Sequence, residues 1–399
     1  MPRVISRIKH AAHLSRRYIP IYLASLLLMA HTYMVAYINS SFLEQFIPTK
    51  AVGTIYIISS ALTVLIFLLI SRVLHRVGNF KLTLGLLVAN GLAVFGMSVA
   101  HSLETAVPLL ILHLILVSLI IFNLDVFMEE HIGNNEGVTG SSRGLLLTLM
   151  STMSAITPFI SSRLVSLDQG SFDYAYLASG LLLLPIIALL LFFFRDFSDP
   201  PYTDIKVLEA IRSFWIKKGI RAVFIVHLTL QMFFMFMVVF VPLYLTKHIG
   251  LSWAEFGIVM FFAQSAYVLF EYPIGIIADK YIGEKEMMGL GLMILAVSTA
   301  WISFVTVPSV FLWSIIMFVT RFGASFVEVT TEVHFFKKTK SSDAQIISFF
   351  RVTRPLAYIA GAIVASLSLL YLPFNLLFVV IAFLMIPAMF LTLDIEDSK

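Results

Sequence analysis

The sequence predicts an all-α integral membrane protein, with twelve transmembrane helices arranged in two pseudo-symmetric six-helix bundles. Three observations support this fold class. Of the 399 residues, 59% are apolar and only 13% are charged; apolar stretches long enough for a membrane helix recur along the chain; and the second half repeats features of the first. A soluble globular protein has about 25% charged residues. Because so few charges cannot cover a water-facing surface, much of this chain must face lipid.

Twelve apolar stretches are long enough to cross a bilayer, whose core a helix of about 20 apolar residues spans. The predicted helices are 18–40, 52–73, 82–100, 106–128, 143–165, 174–194, 220–246, 253–277, 286–304, 308–330, 344–369 and 373–393. They divide the chain into an N-terminal tail (1–17), a first bundle (18–195), a linker (196–219), a second bundle (220–393) and a C-terminal tail (394–399).

Basic residues are concentrated in alternate loops, and this bias orients the predicted helices. Lys and Arg are enriched in cytoplasmic loops. If both termini are cytoplasmic, the outer loops hold only Lys50, Arg163 and Lys247. We therefore expect both termini in the cytoplasm, and the short loops and tails favour the plasma (inner) membrane of a prokaryote.

The linker 196–219 is the longest polar connection. Its apolar residues Ile205, Leu208, Ile211 and Trp215 fall on one helical face. This periodicity predicts an amphipathic helix lying at the cytoplasmic interface. The alternative is a linker that is helical but does not touch the membrane.

A charged turn follows the eighth predicted helix, and a related turn lies in the first half. The second-half turn contains Gly275, Asp279, Lys280, Gly283 and Lys285. When the halves are aligned, the first-half sequence SRVLHRVGNFK keeps the glycine and basic residues but has a leucine where the second half has the acid.

These residues resemble the loop signature of the major facilitator superfamily, and the resemblance covers essentially the whole chain. It implies two parallel six-helix halves joined by a cytoplasmic loop. In that fold the second-half turn faces the start of the fifth helix. We therefore predict that Asp279 contacts Arg143 and latches the cytoplasmic side in the outward-open state, so that Asp279→Asn weakens transport without preventing folding. The matching first-half latch is impaired by Leu74.

Ionisable residues inside the predicted helices fall on the fourth, eighth, tenth and eleventh. A charge within a bilayer is costly and usually faces a cavity or a partner. In the resembled fold these helices line the cavity or the interface between halves, whereas the uncharged third, sixth, ninth and twelfth lie outermost. The candidates for substrate binding or proton coupling are Glu271, Arg321, Glu328, Arg351, Arg354 and Asp125.

Two interpretations of this charged set remain open. It can bind a substrate or relay a proton, or it can form a structural ion-pair network near the cytoplasmic gate. In the second half, three arginines against two acids favour an anionic ligand or a pairing with Asp125 across the halves. Further polar residues that can face the cavity are His31, His227, Gln231 and Gln264, although such residues are often simply packed.

Composition and motifs narrow the function. The absence of cysteine excludes disulfides, thiolate metal sites and cysteine nucleophiles. No catalytic or nucleotide-binding motif is present, so we expect neither an enzyme nor a cofactor or metal. The sequence predicts a monomeric secondary transporter that moves a small molecule by alternating access, as an exporter of drugs or metabolites or an importer of organic solutes. Protons and the bilayer are its other expected partners, and nucleic acid is not expected.

Two alternatives belong to other classes. The first-half turn matches the signature only in part, which is compatible with a non-transporting sensor or scaffold of the same fold. A multispanning enzyme acting on lipid-linked substrates would need acids in a sizeable outer loop, and the outer loops here are short.

Overall fold

A computed structural model of the protein describes residues 2–132, 136–202, 218–278, 282–338 and 344–395. All regular structure in these ranges is helical. The α-helices are α1 (Pro2–Ala36), α2 (Asn39–Leu43), α3 (Thr49–Val77), α4 (Asn79–Met97), α5 (Leu103–Ile132), α6 (Glu136–Leu167), α7 (Asp173–Phe193), α8 (Lys218–Leu243), α9 (Trp253–Ile277), α10 (Glu284–Ile302), α11 (Val310–Lys338), α12 (Ala344–Tyr371) and α13 (Leu377–Leu391). A π-helical turn, Tyr244–His248, extends α8, and short 3-10 turns flank α13.

Eleven of these helices are long and apolar enough to cross a membrane within the part of the chain that the structure describes. The remaining long helix, α6, matches the fifth predicted span. Serines and threonines interrupt its apolar sequence, and it carries Arg163. The all-α membrane fold is therefore confirmed, and the helices are compatible with twelve spans.

Most helix boundaries lie close to those predicted, but α6 begins at Glu136 rather than 143, α11 ends at Lys338 rather than 330, and the largest difference is at the N-terminus. Helix α1 begins at Pro2, so the segment 1–17, predicted as a tail, continues the first helix. Its Ala, Leu, Lys and Arg residues are good helix formers. The predicted amphipathic helix of the linker falls on residues 203–217, which lie outside the described residues.

The two halves meet along two pairs of helices, α3 with α12 and α6 with α9. Small residues allow this close approach. A Cβ added to Gly53 would lie 2.6 Å from Ser366 Oγ, and one added to Gly257 would lie 2.7 Å from Ser162 Cβ. Helices in membranes commonly associate through such small residues.

Large apolar side chains cover the outer faces of α4, α7, α10 and α13. Leu92, Phe192, Trp301 and Phe383 each expose more than half of their surface. Exposure of apolar surface to water costs about 25 cal/mol per Å² relative to burial. These faces are therefore expected to contact lipid. They belong to the third, sixth, ninth and twelfth spans, whose predicted membrane segments contain a single charged residue, Glu286 at the start of the ninth.

We call the end of the bundle at which the chain begins the terminal end, and the opposite end the distal end. The terminal end carries the N-terminus of α1 and the turns α3–α4 and α9–α10. The distal end carries α2 and the turn between α8 and α9. Both α9 and α11 begin at the distal end and run towards the terminal end.

Candidate substrate site

A row of three polar side chains, Gln264, Tyr37 and Arg321, joins the two halves near the middle of the membrane. Gln264 Nε2 donates to the Tyr37 hydroxyl oxygen at 2.5 Å, and the Arg321 guanidinium is an electrostatic neighbour of the same hydroxyl. Tyr37 follows α1 in the first half, whereas the other two belong to α9 and α11. Gln264 and Arg321 each lie eleven residues from the distal start of their helix, a depth of about 16 Å in a core of about 30 Å.

Arg321 is the charged side chain of this row, and it is buried, with 1% of its surface exposed. Its Nη1 donates to Thr320 Oγ1 at 3.0 Å, and the guanidinium lies 5.4 Å from the centroid of the Phe233 ring. Its Nη2 has no hydrogen-bond partner among the described residues. No carboxylate of the described chain lies within ion-pair distance of it.

A second arginine, Arg354, lies on the side of the row that faces the terminal end. Its guanidinium lies 5.9 Å from the centroid of the Tyr358 ring. Tyr33, which stacks on Tyr37 with ring centroids 6.4 Å apart, is an electrostatic neighbour. Arg354 is solvent-exposed although it is close to both halves.

Three carboxyl groups form the next layer. Glu328 lies two helical turns beyond Arg321 on α11 and is an electrostatic neighbour of Glu271, Glu332 and Arg354. Ser151 Oγ of α6 donates to Glu271 Oε2 at 3.0 Å, across the contact between the halves. The structure thus brings Glu271, Glu328 and Arg354 into one neighbourhood.

Glu332 was missed by the sequence reading because the tenth span was predicted to end at residue 330. Helix α11 instead continues to Lys338. The signal was present, since Glu328 and Glu332 are four residues apart and share a helix face. Tyr37 was missed because a tyrosine in an apolar stretch is usually packing.

Comparisons with known proteins agree with this architecture. Residues 222–399 match the family model described as Major Facilitator Superfamily. By sequence, the second half of the chain therefore matches this superfamily. No curated protein matches its sequence.

Two solved transporters share the facilitator fold. The nucleoside transporter NupG, in a mutant form, superposes with a TM-score of 0.72 at 13% identity, covering 94% of this chain and 99% of its own. The POT family transporter PepTSo superposes with a TM-score of 0.76 at 13% identity, covering 95% of this chain and 97% of its own. The resemblance to this superfamily is therefore confirmed, and both neighbours are described as transporters.

His31 lies in the core of the first half and is not part of the row Gln264–Tyr37–Arg321. Its Nδ1 is 2.9 Å from the Ser179 carbonyl oxygen and 2.8 Å from that residue's hydroxyl. Its Nε2 is 2.9 Å from Asn90 Nδ2, and Asn90 Oδ1 is 2.8 Å from His113 Nδ1. This buried network ties together α1, α4, α5 and α7.

The other polar candidates take different positions. His227 and Gln231 lie on α8, where His227 Nδ1 is 3.4 Å from Thr331 Oγ1 and links α8 to α11. Asp125 is half-buried on α5. Arg351 lies on α12, but its side chain is outside the described residues.

The gating turn of the second half is partly described. Gly275 lies on the last turns of α9, and Gly283, with φ 108°, precedes α10. Lys285 Nζ is 3.7 Å from Glu286 Oε1. Asp279, Lys280 and the side chain of Arg143 lie outside the described residues, so their predicted latch stays a prediction.

At the distal end the two halves close against each other. Lys247 Nζ, from the second half, lies 2.5 Å from Glu44 Oε2 of the first. The rings of Phe172 and Trp253 meet edge to face, with centroids 5.4 Å apart. A cavity of about 320 Å³ beside this contact is lined by residues of both halves, including Ser41 and Lys247.

Proposed function

We propose that this facilitator protein is a secondary active transporter, which moves a small molecule by alternating access between its two bundles and couples that movement to protons. One observation carries the proposal: the polar row Gln264–Tyr37–Arg321 crosses from one half to the other at mid-membrane depth. A ligand bound there would touch both halves at once.

The cost of burying these groups supports a role in transport. Placing an arginine at the centre of a bilayer costs at least about 2.5 kcal/mol, and such residues usually mark substrate or ion pathways. The facilitator fold has its substrate sites near the midplane, between the repeats. The row has this depth and this position. Of the two neighbours named above, NupG is a nucleoside transporter and PepTSo is a POT family transporter.

The acids offer a means of proton coupling. Glu271 is held by Ser151 at the α6–α9 contact, and it is an electrostatic neighbour of Glu328. Gain of a proton by either carboxyl group changes its hydrogen bonding and its attraction to Arg354. Protonation would therefore act on the seam where the halves move against each other.

The terminal end is proposed to face the cytoplasm of a prokaryotic cell, with the protein a monomer in the plasma membrane. The distribution of basic residues supports this orientation. Arg72, Arg76 and Lys81 lie at or near the α3–α4 turn of the terminal end, whereas the distal loops carry few basic residues.

Flux into proteoliposomes under an imposed pH gradient tests the proposal. Candidate substrates are nucleosides, short peptides, organic acids and cationic dyes. We expect gradient-driven flux of at least one of them by the wild-type protein. Glu271→Gln should lose the response to the gradient while it retains exchange of substrate across the membrane.

Glu104→Gln is the matched control, because Glu104 is exposed at the distal start of α5 and the charge change is the same. This variant should behave as the wild type does. Absence of flux for every substrate in the wild type would instead favour a sensor or scaffold of this fold. An unaltered gradient response in Glu271→Gln would exclude Glu271 as the coupling residue.

A further inference from the structure

We infer that the substrate carries a carboxylate or another oxyanion, which binds at the unpaired edge of Arg321. This inference rests on the proposed transport function and specifies the chemical class of its substrate. It depends on three features of the row: the charge of Arg321, the excess of hydrogen-bond donors around it, and its position between the two halves.

Arg321 carries a positive charge that nearby acids do not neutralise. Within the described chain no carboxylate is within ion-pair distance of its guanidinium. Glu328, on the same face of α11, has Arg354 as its basic electrostatic neighbour. An unpaired buried charge is strongly unfavourable, so an anion at this position would stabilise the site.

The polar groups around Arg321 are mostly donors. Its Nη2 and the Tyr267 hydroxyl have no partner among the described residues. The Tyr37 oxygen already receives a bond from Gln264 and lies near the Arg321 guanidinium, so its own proton is directed to a further acceptor. The unpartnered acceptor of the row is Gln264 Oε1.

These groups lie in one neighbourhood. Tyr267 follows Gln264 by three residues on α9, so both side chains share a face, and it is an electrostatic neighbour of Arg321 and Tyr37. Buried polar groups in native proteins are nearly always hydrogen-bonded. A ligand oxyanion accepting from Arg321, Tyr37 and Tyr267 would satisfy all three donors.

The shape of the site fits an oxyanion better than a cation. The Phe233 ring lies 5.4 Å from the guanidinium carbon, and Nη1 is used by Thr320. The edge that carries Nη2 is left for the ligand. An arginine edge with two parallel N–H groups matches a carboxylate or phosphate.

Thermal unfolding of the purified protein in detergent tests this inference. The anionic probes are benzoate, glutarate and inorganic phosphate, and the uncharged counterparts of the first two are benzamide and glutaramide. We expect at least one anion to raise the Tm of the wild type at millimolar concentration, and its uncharged counterpart to have no such effect.

Variants then locate the binding. In Arg321→Gln the affinity for that anion should fall about 10- to 100-fold, as expected for the loss of hydrogen bonds to a charged group. Arg321→Lys should fall between the two, because lysine keeps the charge but not the planar fork. Arg163→Gln is the control, because Arg163 is an exposed arginine at the distal end of α6 and the charge change is the same. This variant should bind the anion as the wild type does.

Three results would overturn the inference: no stabilisation of the wild type by any anion, equal stabilisation by the amides, or unchanged anion binding in Arg321→Gln. If Arg321→Gln does not fold, Tyr37→Phe replaces it, and unchanged anion binding in Tyr37→Phe and Arg321→Lys would then contradict the inference.

The test is separate from that of the proposed function. Anion binding at Arg321 without any flux would overturn transport and leave the site standing. Flux of an uncharged or cationic substrate that Arg321→Gln does not alter would leave transport standing and overturn the anion site.

Discussion

Asp199 Oδ1 accepts a 2.7 Å hydrogen bond from the backbone nitrogen of Asn79, the first residue of α4. The positive end of a helix favours a carboxylate at this position. The Tyr202 hydroxyl donates to the same oxygen at 2.5 Å, and His75 Nε2 lies 2.6 Å from the Tyr202 carbonyl oxygen. The segment after α7 therefore stabilises the α3–α4 turn. The first half has Leu74 where the second half has the acid Asp279, and Asp199 supplies a carboxylate from another segment.

Replacement of this carboxylate should destabilise the first half. Asp199→Ala removes the acceptor for the first turn of α4, and loss of such a cap costs about 0.5–2 kcal/mol. We expect a lower Tm for the detergent-solubilised protein. Asp196→Ala is the control, because Asp196 is exposed in the same segment; equal Tm values for the two variants would show that Asp199 does not stabilise the turn.

Gly78 should not tolerate a side chain, for two reasons. Its φ of 82° and ψ of 152° are almost restricted to glycine, at a cost of about 1–3 kcal/mol for other residues. An added Cβ would also lie 2.7 Å from Asp199 Oδ2. Gly78→Ala should therefore lower the Tm, whereas Gly85→Ala, inside α4 with open space around it, should leave the Tm unchanged or raise it.

A double variant separates the two causes. Asp199→Ala removes the steric contact but not the backbone strain, so Gly78→Ala should cost less in that background than in the wild type. If Gly78→Ala is as stable as the wild type, the turn does not need glycine. Gly283 has a similar backbone conformation before α10, with φ 108° and ψ 155°.

The helices could be predicted from the sequence because hydropathy and length determine a membrane helix locally. Helix α9 spans 253–277 as predicted, and Ser252 and Glu255 form a capping box at its start. The charged candidates could be found for a related reason, since a charge in an apolar stretch is visible in the sequence.

The pairings within the site could not be predicted, because they depend on tertiary packing. Tyr37 and Gln264 are 227 residues apart, and nothing local distinguishes Tyr37 from other tyrosines in apolar stretches. Asp199 lies in a loop, where acids are usually solvated. His31 is an ordinary polar residue in sequence, and only the packing of α1 against α7 places it beside Ser179.

The position of His31 leads to a prediction about stability. His31→Ala would leave the Asn90 side-chain nitrogen without its buried partner, and an unsatisfied buried group costs about 1–3 kcal/mol. We expect a marked fall in Tm, with the substrate affinity of the remaining folded protein unchanged. His101→Ala, at an exposed histidine of the distal end, should match the wild type; a normal Tm with lost substrate binding would place His31 in the transport pathway instead.

The ion pair between Lys247 and Glu44 should hold the distal end closed, because it joins the two halves there. Glu44 exposes 10% of its side chain and Lys247 exposes 55%, and pairs with exposed members contribute about 0.2–1 kcal/mol. The chain has no cysteine, so Ser41→Cys provides a single reporter on the adjoining cavity, where Ser41 is buried.

A membrane-impermeant maleimide applied from the distal side should label this reporter slowly, and Glu44→Gln or Lys247→Gln should raise the labelling rate about two- to fivefold. Lys50→Gln is the control, because Lys50 is an exposed lysine of the same end and loses the same charge. Faster labelling in all three variants would indicate a general charge effect on the reagent, and unchanged labelling in the first two would show that the ion pair does not keep the distal end closed.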